Sequence, residues 1–108
     1  MGRPADAVDG GELLDRLLSE KDFQAQIVAL AKVCGWKVFH QFDSRRSEPG
    51  WPDLVLLRPQ VALFVEVKRQ NGRLTKAQRG TLDLLRDCGN LVDVWRPSDW
   101  DSIVRVLA

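Results

Sequence analysis

Two apolar runs joined by a two-residue turn signal constrain this chain more than any other feature. Residues 53–58 read DLVLLR and residues 61–68 read VALFVEVK, with Pro59-Gln60 between them. Short runs rich in Val, Leu and Phe, bounded by Pro and Gly, are strand signals, and a two-residue connection implies an antiparallel hairpin. Pro52 can open the first strand but cannot sit inside it. In the second strand Val61, Leu63, Val65 and Val67 share one face, and Ala62, Phe64, Glu66 and Lys68 share the other. The turn also sets the register. Pairing about Pro59-Gln60 places Arg58 against Val61 and, carried back along the ladder, Asp53 against Glu66.

That register brings two carboxylates together at the end of a segment that otherwise reads as core. Glu66 and Lys68 leave the same face about 7 Å apart, and Asp53 becomes the cross-strand neighbour of Glu66. Close carboxylates repel each other and, in a dry site, raise one pKa strongly. The pair needs a counter-charge. Lys68 supplies one, and a divalent cation supplies a stronger one. Oxygen donors with no His or Cys close by in sequence suit Mg²⁺ or Mn²⁺ rather than zinc. Mg²⁺ keeps several waters, one of which can become a nucleophile. Lys68 would then steady negative charge on a phosphate. The plainer alternative is a surface ion cluster, with Glu66–Lys68 a same-face salt bridge and Asp53 a turn residue.

The remaining chain supplies helices and two further strands. Residues 1–11 carry Gly, Pro and Asp without periodicity and read as a tail, with a short helix over 12–18. Ser19 is an N-cap with Asp22 in the capping-box position, and Phe23, Ile27, Leu30 and Cys34 form one stripe of a helix that Gly35 ends. Residues 36–42 alternate loosely as a strand, and 43–50 form a polar loop. Thr75 caps a helix to about Cys88, with Gln78 at its third position, Leu82 and Leu85 inward, and Gly89 as the stop. Leu91 to Trp95 is a strand, apolar on both parities at its start, hence expected buried and parallel to a neighbour. After Pro97, Ser98 is expected to cap a last helix. The order α–β–β–β–α–β–α specifies an α/β fold, a mixed β-sheet flanked by helices.

Charge is uneven along the chain. Nine Lys or Arg against four Asp or Glu give residues 36–80 a net +5, against +1 for all 108 residues. A basic middle between acidic ends suits a polyanion, although solvated Lys and Arg loops give the same count. Cys34 and Cys88 lie far apart, without zinc spacing or a disulfide framework. No apolar run approaches the roughly 18 residues of a membrane helix, and no signal peptide is visible. The expectation is a cytoplasmic protein that does not engage a membrane.

The spacing Pro52-Asp53, twelve residues, Glu66-Val67-Lys68 resembles the PD-(D/E)XK nuclease pattern. Its surroundings resemble the VRR-NUC (virus-type replication-repair nuclease) family within that superfamily. Those surroundings are Glu20 opening a helix, Gly35-Trp36 before a strand, His40, Gly50-x-Pro52-Asp53, and Gly72-Arg73-Leu74-Thr75-x-x-Gln78. The resemblance runs from about residue 19 to 96. It implies a restriction-endonuclease-like core over residues 19–108, with residues 1–18 as an N-terminal tail and short helix. It implies that Asp53, Glu66, Glu20 and the Val67 carbonyl hold Mg²⁺ or Mn²⁺, that Lys68 is the catalytic lysine, and that Gln78 lies beside the site. Stand-alone members from phages and bacteria resemble structure-specific nucleases of DNA replication, recombination and repair, some acting as homodimers on four-way junctions. A non-catalytic DNA-binding module that keeps the fold is the competing expectation.

Several positions keep a second reading. Glu20 also suits a helix N-terminus through the macrodipole, and Gln78 completes a capping box with Thr75. His40 is either a base or phosphate contact or a structural residue. Trp51 either stacks on a base or packs internally. Trp95, Trp100 and the last helix are either dimer contacts or core. Arg45, Arg46, Arg69, Arg73, Lys76 and Arg79 flank the proposed site and are the expected phosphate contacts. Lys76 and Arg79 lie near a helix N-terminus, which disfavours cations unless an anion is also present.

Overall fold

A computed structural model describes residues 10–41 and 48–108. The elements are α1 (Gly10–Leu17), α2 (Glu20–Val33), β1 (Lys37–His40), β2 (Leu54–Arg58), β3 (Val61–Val67), α3 (Lys76–Asp87), β4 (Leu91–Trp95), a 3₁₀ turn (Pro97–Asp99) and α4 (Trp100–Leu107). The sheet order is β1-β2-β3-β4. β2 pairs antiparallel with both β1 and β3, and β4 pairs parallel with β3. A parallel pair needs a crossover, and α3 provides it. This is the mixed sheet flanked by helices that the element order specifies.

The hairpin register is the expected one, with Arg58 opposite Val61 and Leu54 opposite Val65. Gln60 takes the turn with φ +68°, in the left-handed region that favours glycine. One face of the sheet buries Leu54, Leu56, Leu63, Val65 and Val67 against Phe23, Ile27 and Ala31 of α2 and Ile103 and Leu107 of α4. The buried stripe of α2 runs through Phe23, Ile27 and Ala31, with Leu30 and Cys34 partly buried at its edge. Trp95 belongs to the core, and Trp100 packs on Phe23 with ring centroids 6.4 Å apart. Both tryptophans are thus engaged within the chain. α3 covers the other face, where Leu82 is its buried residue.

The end of α4 is held by two side chains from the sheet side. Trp36 Nε1 donates to the Leu107 carbonyl at 2.9 Å, and Arg58 Nη1 donates to the same carbonyl at 3.2 Å. The Arg58 guanidinium stacks 4.1 Å from the centre of the Trp36 ring. A cation at a helix C-terminus satisfies carbonyls that the helix cannot.

Two expectations need correction. β4 is an edge strand, with Leu91 60% exposed, because among the described residues it pairs with β3 alone. Its two-sided apolar start reflects half-burial by α3, not a strand enclosed on both sides. Ser98 does not cap α4. Pro97 starts a 3₁₀ turn, Asp99 Oδ2 accepts from the Arg96 N–H at 2.9 Å, and α4 begins at Trp100. Ser98 instead exchanges two hydrogen bonds with Gln70, at 2.9 and 3.0 Å. Phe42, within the predicted first strand, lies outside the described residues.

Replacing Gln60 with glycine relieves the left-handed backbone and is expected to raise stability by about 0.5–1 kcal/mol. Urea denaturation of the two proteins, at unchanged m-value, measures it.

Candidate metal and active site

The site forms where β2 begins and β3 ends. Asp53 directly precedes β2, and the observed register carries it opposite Glu66. Asp53 Oδ2 accepts from the Val67 N–H at 2.8 Å, so the side chain extends the ladder by one bond and is fixed by it. The preceding loop is fixed too. Gly50 has φ +95°, and a Cβ there would lie 2.7 Å from the Ala77 carbonyl carbon and 2.8 Å from Thr81 Oγ1. Only glycine lets the loop rest on the α3 backbone in this way. Pro52, fully buried, then delivers Asp53.

Glu66 is 1% exposed and Lys68 8%. The Lys68 Nζ lies 4.0 Å from Glu66 Oε1. Gln78 Nε2 donates to the same oxygen at 3.1 Å, while its Oε1 accepts from the Thr75 N–H at 2.9 Å. The Thr75 hydroxyl in turn accepts from the Gln78 N–H at 3.1 Å. The two readings of Gln78 are therefore not alternatives: one side chain completes the capping box and holds Glu66. Glu20, in the first turn of α2, lines the same cavity as Asp53 and Glu66.

The electrostatics follow from this crowding. Burial, then a hydrogen bond and charge repulsion from Asp53, push Glu66 from an ordinary 4.5 up to about 9, against the pull of Lys68. Burial and then the Asp53 charge raise Glu20 as well. Glu66 Oε2 is buried with no hydrogen-bond partner. With both carboxylates ionised that oxygen has no donor. Either a proton shared with Asp53 or a cation between the two resolves the arrangement.

A hard divalent cation fits this donor set, which offers two adjacent carboxylates, an orphaned oxygen and no sulfur or imidazole donor close in sequence. Among the described residues no group of three or more His, Cys, Asp and Glu is arranged to hold a metal ion by itself. A Mg²⁺ ion takes one or two protein carboxylates and completes its shell with water and substrate oxygens.

The pair opens into a cavity of about 280 Å³ lined by Glu20, Gln41, Glu48, Trp51, Asp53, Glu66 and Gln78, among others. Trp51 stands at its lip, 46% exposed, in a T-shaped contact with the Phe64 ring. His40 lies outside this cavity, in the adjoining groove along α2. Arg69, Arg73, Lys76 and Arg79 are exposed, Lys76 and Arg79 in the first turns of α3. Arg45 and Arg46 lie outside the described residues. Gln41 was not among the residues expected here. Its N–H donates to the Asp53 carbonyl at 3.2 Å, and its buried Oε1 has no partner. Extending the β1–β2 register by one residue would have revealed it.

The comparisons with known proteins bear on the family and the fold. A family model described as the VRR-NUC domain matches residues 7–99. The chain belongs to the VRR-NUC family. A solved structure titled VRR_NUC domain protein aligns with a TM-score of 0.65 at 20% identity, covering 83% of this chain and 85% of its own. At that identity the likeness concerns the fold. No curated protein matches the chain. VRR-NUC domains are a nuclease-type family, so the basic middle of the sequence and its acidic pair sit within a nuclease fold.

The raised acid has a signature in the metal-free VRR-NUC domain. The folded chain holds a proton on Glu66 that the unfolded chain releases near pH 4.5. Its contribution to stability is full below about pH 4.5 and is lost as pH rises through about 9. Glu20 acts in the same direction. Tm in EDTA should therefore fall between pH 5 and pH 9, and Glu66→Gln should flatten that fall. Parallel slopes for the two proteins would contradict the assignment.

Proposed function

We propose that this chain is a metal-dependent endodeoxyribonuclease that hydrolyses DNA phosphodiesters. The observation that carries the reading is Glu66, buried opposite a half-buried Asp53, with one oxygen left without a partner and the Lys68 ammonium beside it. A structural ion pair leaves no such oxygen and has no reason to set a second acid beside a buried one that already has its base. Sites that shift a carboxylate this far are where catalysis concentrates.

Asp53 and Glu66 would bind the cation through their carboxylates. The Val67 carbonyl and Glu20 would complete the protein's share, Glu20 directly or through water. Bound Mg²⁺ or Mn²⁺ supplies Lewis acidity toward the scissile phosphate and makes water a nucleophile at neutral pH. Lys68, itself 8% exposed, would supply positive charge where the phosphate becomes more negative. Gln78 acts as a positioning residue, because its amide aims Glu66 and its own orientation is locked by the Thr75 cap. Arg73, Lys76 and Arg79, with Arg45 and Arg46, would take phosphates outside the reacting one. The exposed ring of Trp51 offers a stacking face to an unpaired base.

Recognition of shape fits this protein better than recognition of base sequence, since the sheet, α2, α3 and α4 are taken up by the packed core of the fold. Together with the resemblance to stand-alone family members, this favours branched DNA such as four-way junctions, cut by a homodimer whose two-fold axis matches that of the substrate. Among the described residues no helix is long and apolar enough to cross a membrane, and the cytoplasm is where such a substrate occurs.

Purified protein offered labelled linear duplex, flap, splayed and four-way DNAs with Mg²⁺ or Mn²⁺ should cut a branched form best. Asp53→Ala, Glu66→Gln and Lys68→Ala should each lower cleavage by about 10³-fold or more with the fold retained. Mn²⁺ should raise the Tm of the parent at pH 8 and leave that of the Asp53→Ala variant nearly unmoved. Binding of DNA without cutting, and without any metal-induced shift, would identify a non-catalytic DNA-binding module instead.

A further inference from the structure

The turn after β3 carries a contact that the nuclease reading does not use. Arg69 to Gly72 forms a turn closed by the Gly72 N–H on the Arg69 carbonyl at 3.0 Å. It is braced from one side by Ser98 on Gln70 and by Arg96 Nη2 on the Gly72 carbonyl at 2.8 Å. From the other side comes Asp15 of α1. One Asp15 oxygen accepts from Arg69 Nη1 at 2.6 Å, and the other accepts from the Asn71 N–H at 3.1 Å. A guanidinium and a backbone N–H converging on two oxygens of one anion is the donor arrangement that binds phosphate.

The helix that supplies this carboxylate is weakly held. α1 buries none of its residues, and its Leu13 and Leu17 are 45% and 73% exposed. The turn it covers is the opposite case, tied to the 3₁₀ turn and to Arg96 whether or not α1 is there. The turn that carries both donors is thus preformed, and the anion filling them sits on a helix that buries none of its residues. Arg69 follows Lys68 directly, so its guanidinium is one residue from the reacting end of the site.

We propose that Arg69 and the Asn71 N–H form a phosphate-binding subsite that Asp15 fills in the absence of DNA, so that α1 and the DNA backbone compete for it. The inference rests on the nuclease reading and adds to it the place where a neighbouring phosphodiester is held. It also makes α1 a built-in competitor of the substrate. The Arg69 side of the pair is 53% exposed and the Asp15 side 18%, so water screens the pair in part and the competing carboxylate lowers apparent affinity by a modest factor, through the fraction of molecules whose subsite is open.

The test measures Kd for a labelled four-way junction and a linear duplex in EDTA, where nothing is cut. D15N keeps the shape of the side chain and removes its charge. It should tighten binding about two- to tenfold. E12Q removes an equal charge from the same helix, where Glu12 pairs with Arg16 instead, and should gain clearly less. In an Arg69→Ala background D15N should gain nothing. In the parent protein, hydrogen exchange of the residue 10–17 amides should speed up when DNA binds. Unchanged or weaker binding by D15N would overturn the subsite. So would an equal gain from E12Q, a gain that survives Arg69→Ala, or α1 amides that stay protected on DNA. Failure of the parent to bind or cut any DNA would remove the nuclease reading itself. A parent that cuts, a Glu66→Gln variant that does not, and an inert D15N would remove only the subsite.

Discussion

Everything in this site follows from the pairing of β2 with β3 about a two-residue turn. A side-chain period of two means that a slip of one residue would send Asp53 to the opposite face from Glu66 and Lys68. The core prevents the slip. Leu54, Leu56, Leu63, Val65 and Val67 are all at most 4% exposed on one face. Moving them into water would cost about 1.5–3 kcal/mol for each fully buried side chain. The hydrophobic face thus fixes the charged one, and the repulsion between two carboxylates is maintained by apolar burial a few ångströms away.

The register was legible in the sequence because short hairpins leave little freedom: with Pro59-Gln60 identified as the turn, each cross-strand neighbour follows by counting. The caps were legible for the same local reason. Ser19 and Thr75 hydrogen-bond their own helices, so three or four residues of sequence contain the whole interaction. The 3₁₀ turn was hidden because Ser98, a good cap by composition, finds a stronger set of partners in Gln70, 28 positions away in the chain. Edge position in the sheet was hidden for a related reason. The residues of β4 state how apolar the strand is, while its neighbours are decided by the whole topology.

The site was readable in its centre and less so at its rim. Asp53, Glu66 and Lys68 lie on one hairpin, where local rules reach. Gln41 enters from β1 and Glu20 from α2, and their arrival depends on how those elements pack on the sheet. Charge count had marked Arg69 as a phosphate contact; the structure gives it a carboxylate partner on α1, which no local pattern around Asp15 announces. Electrostatic reading of a sequence identifies which groups want counter-charges, and folding decides which of them receive an internal one.

Gln78 joins two kinds of order in one amide. Its oxygen closes the start of α3 and its nitrogen steadies the acid. The first turn of that helix consequently cannot fray without releasing Glu66, and a change that disturbs Glu66 is felt as a loosened helix end. Backbone breathing at this point is mechanically geared to the poise of the carboxyl group, so the rigidity of a surface helix is passed to the buried acid.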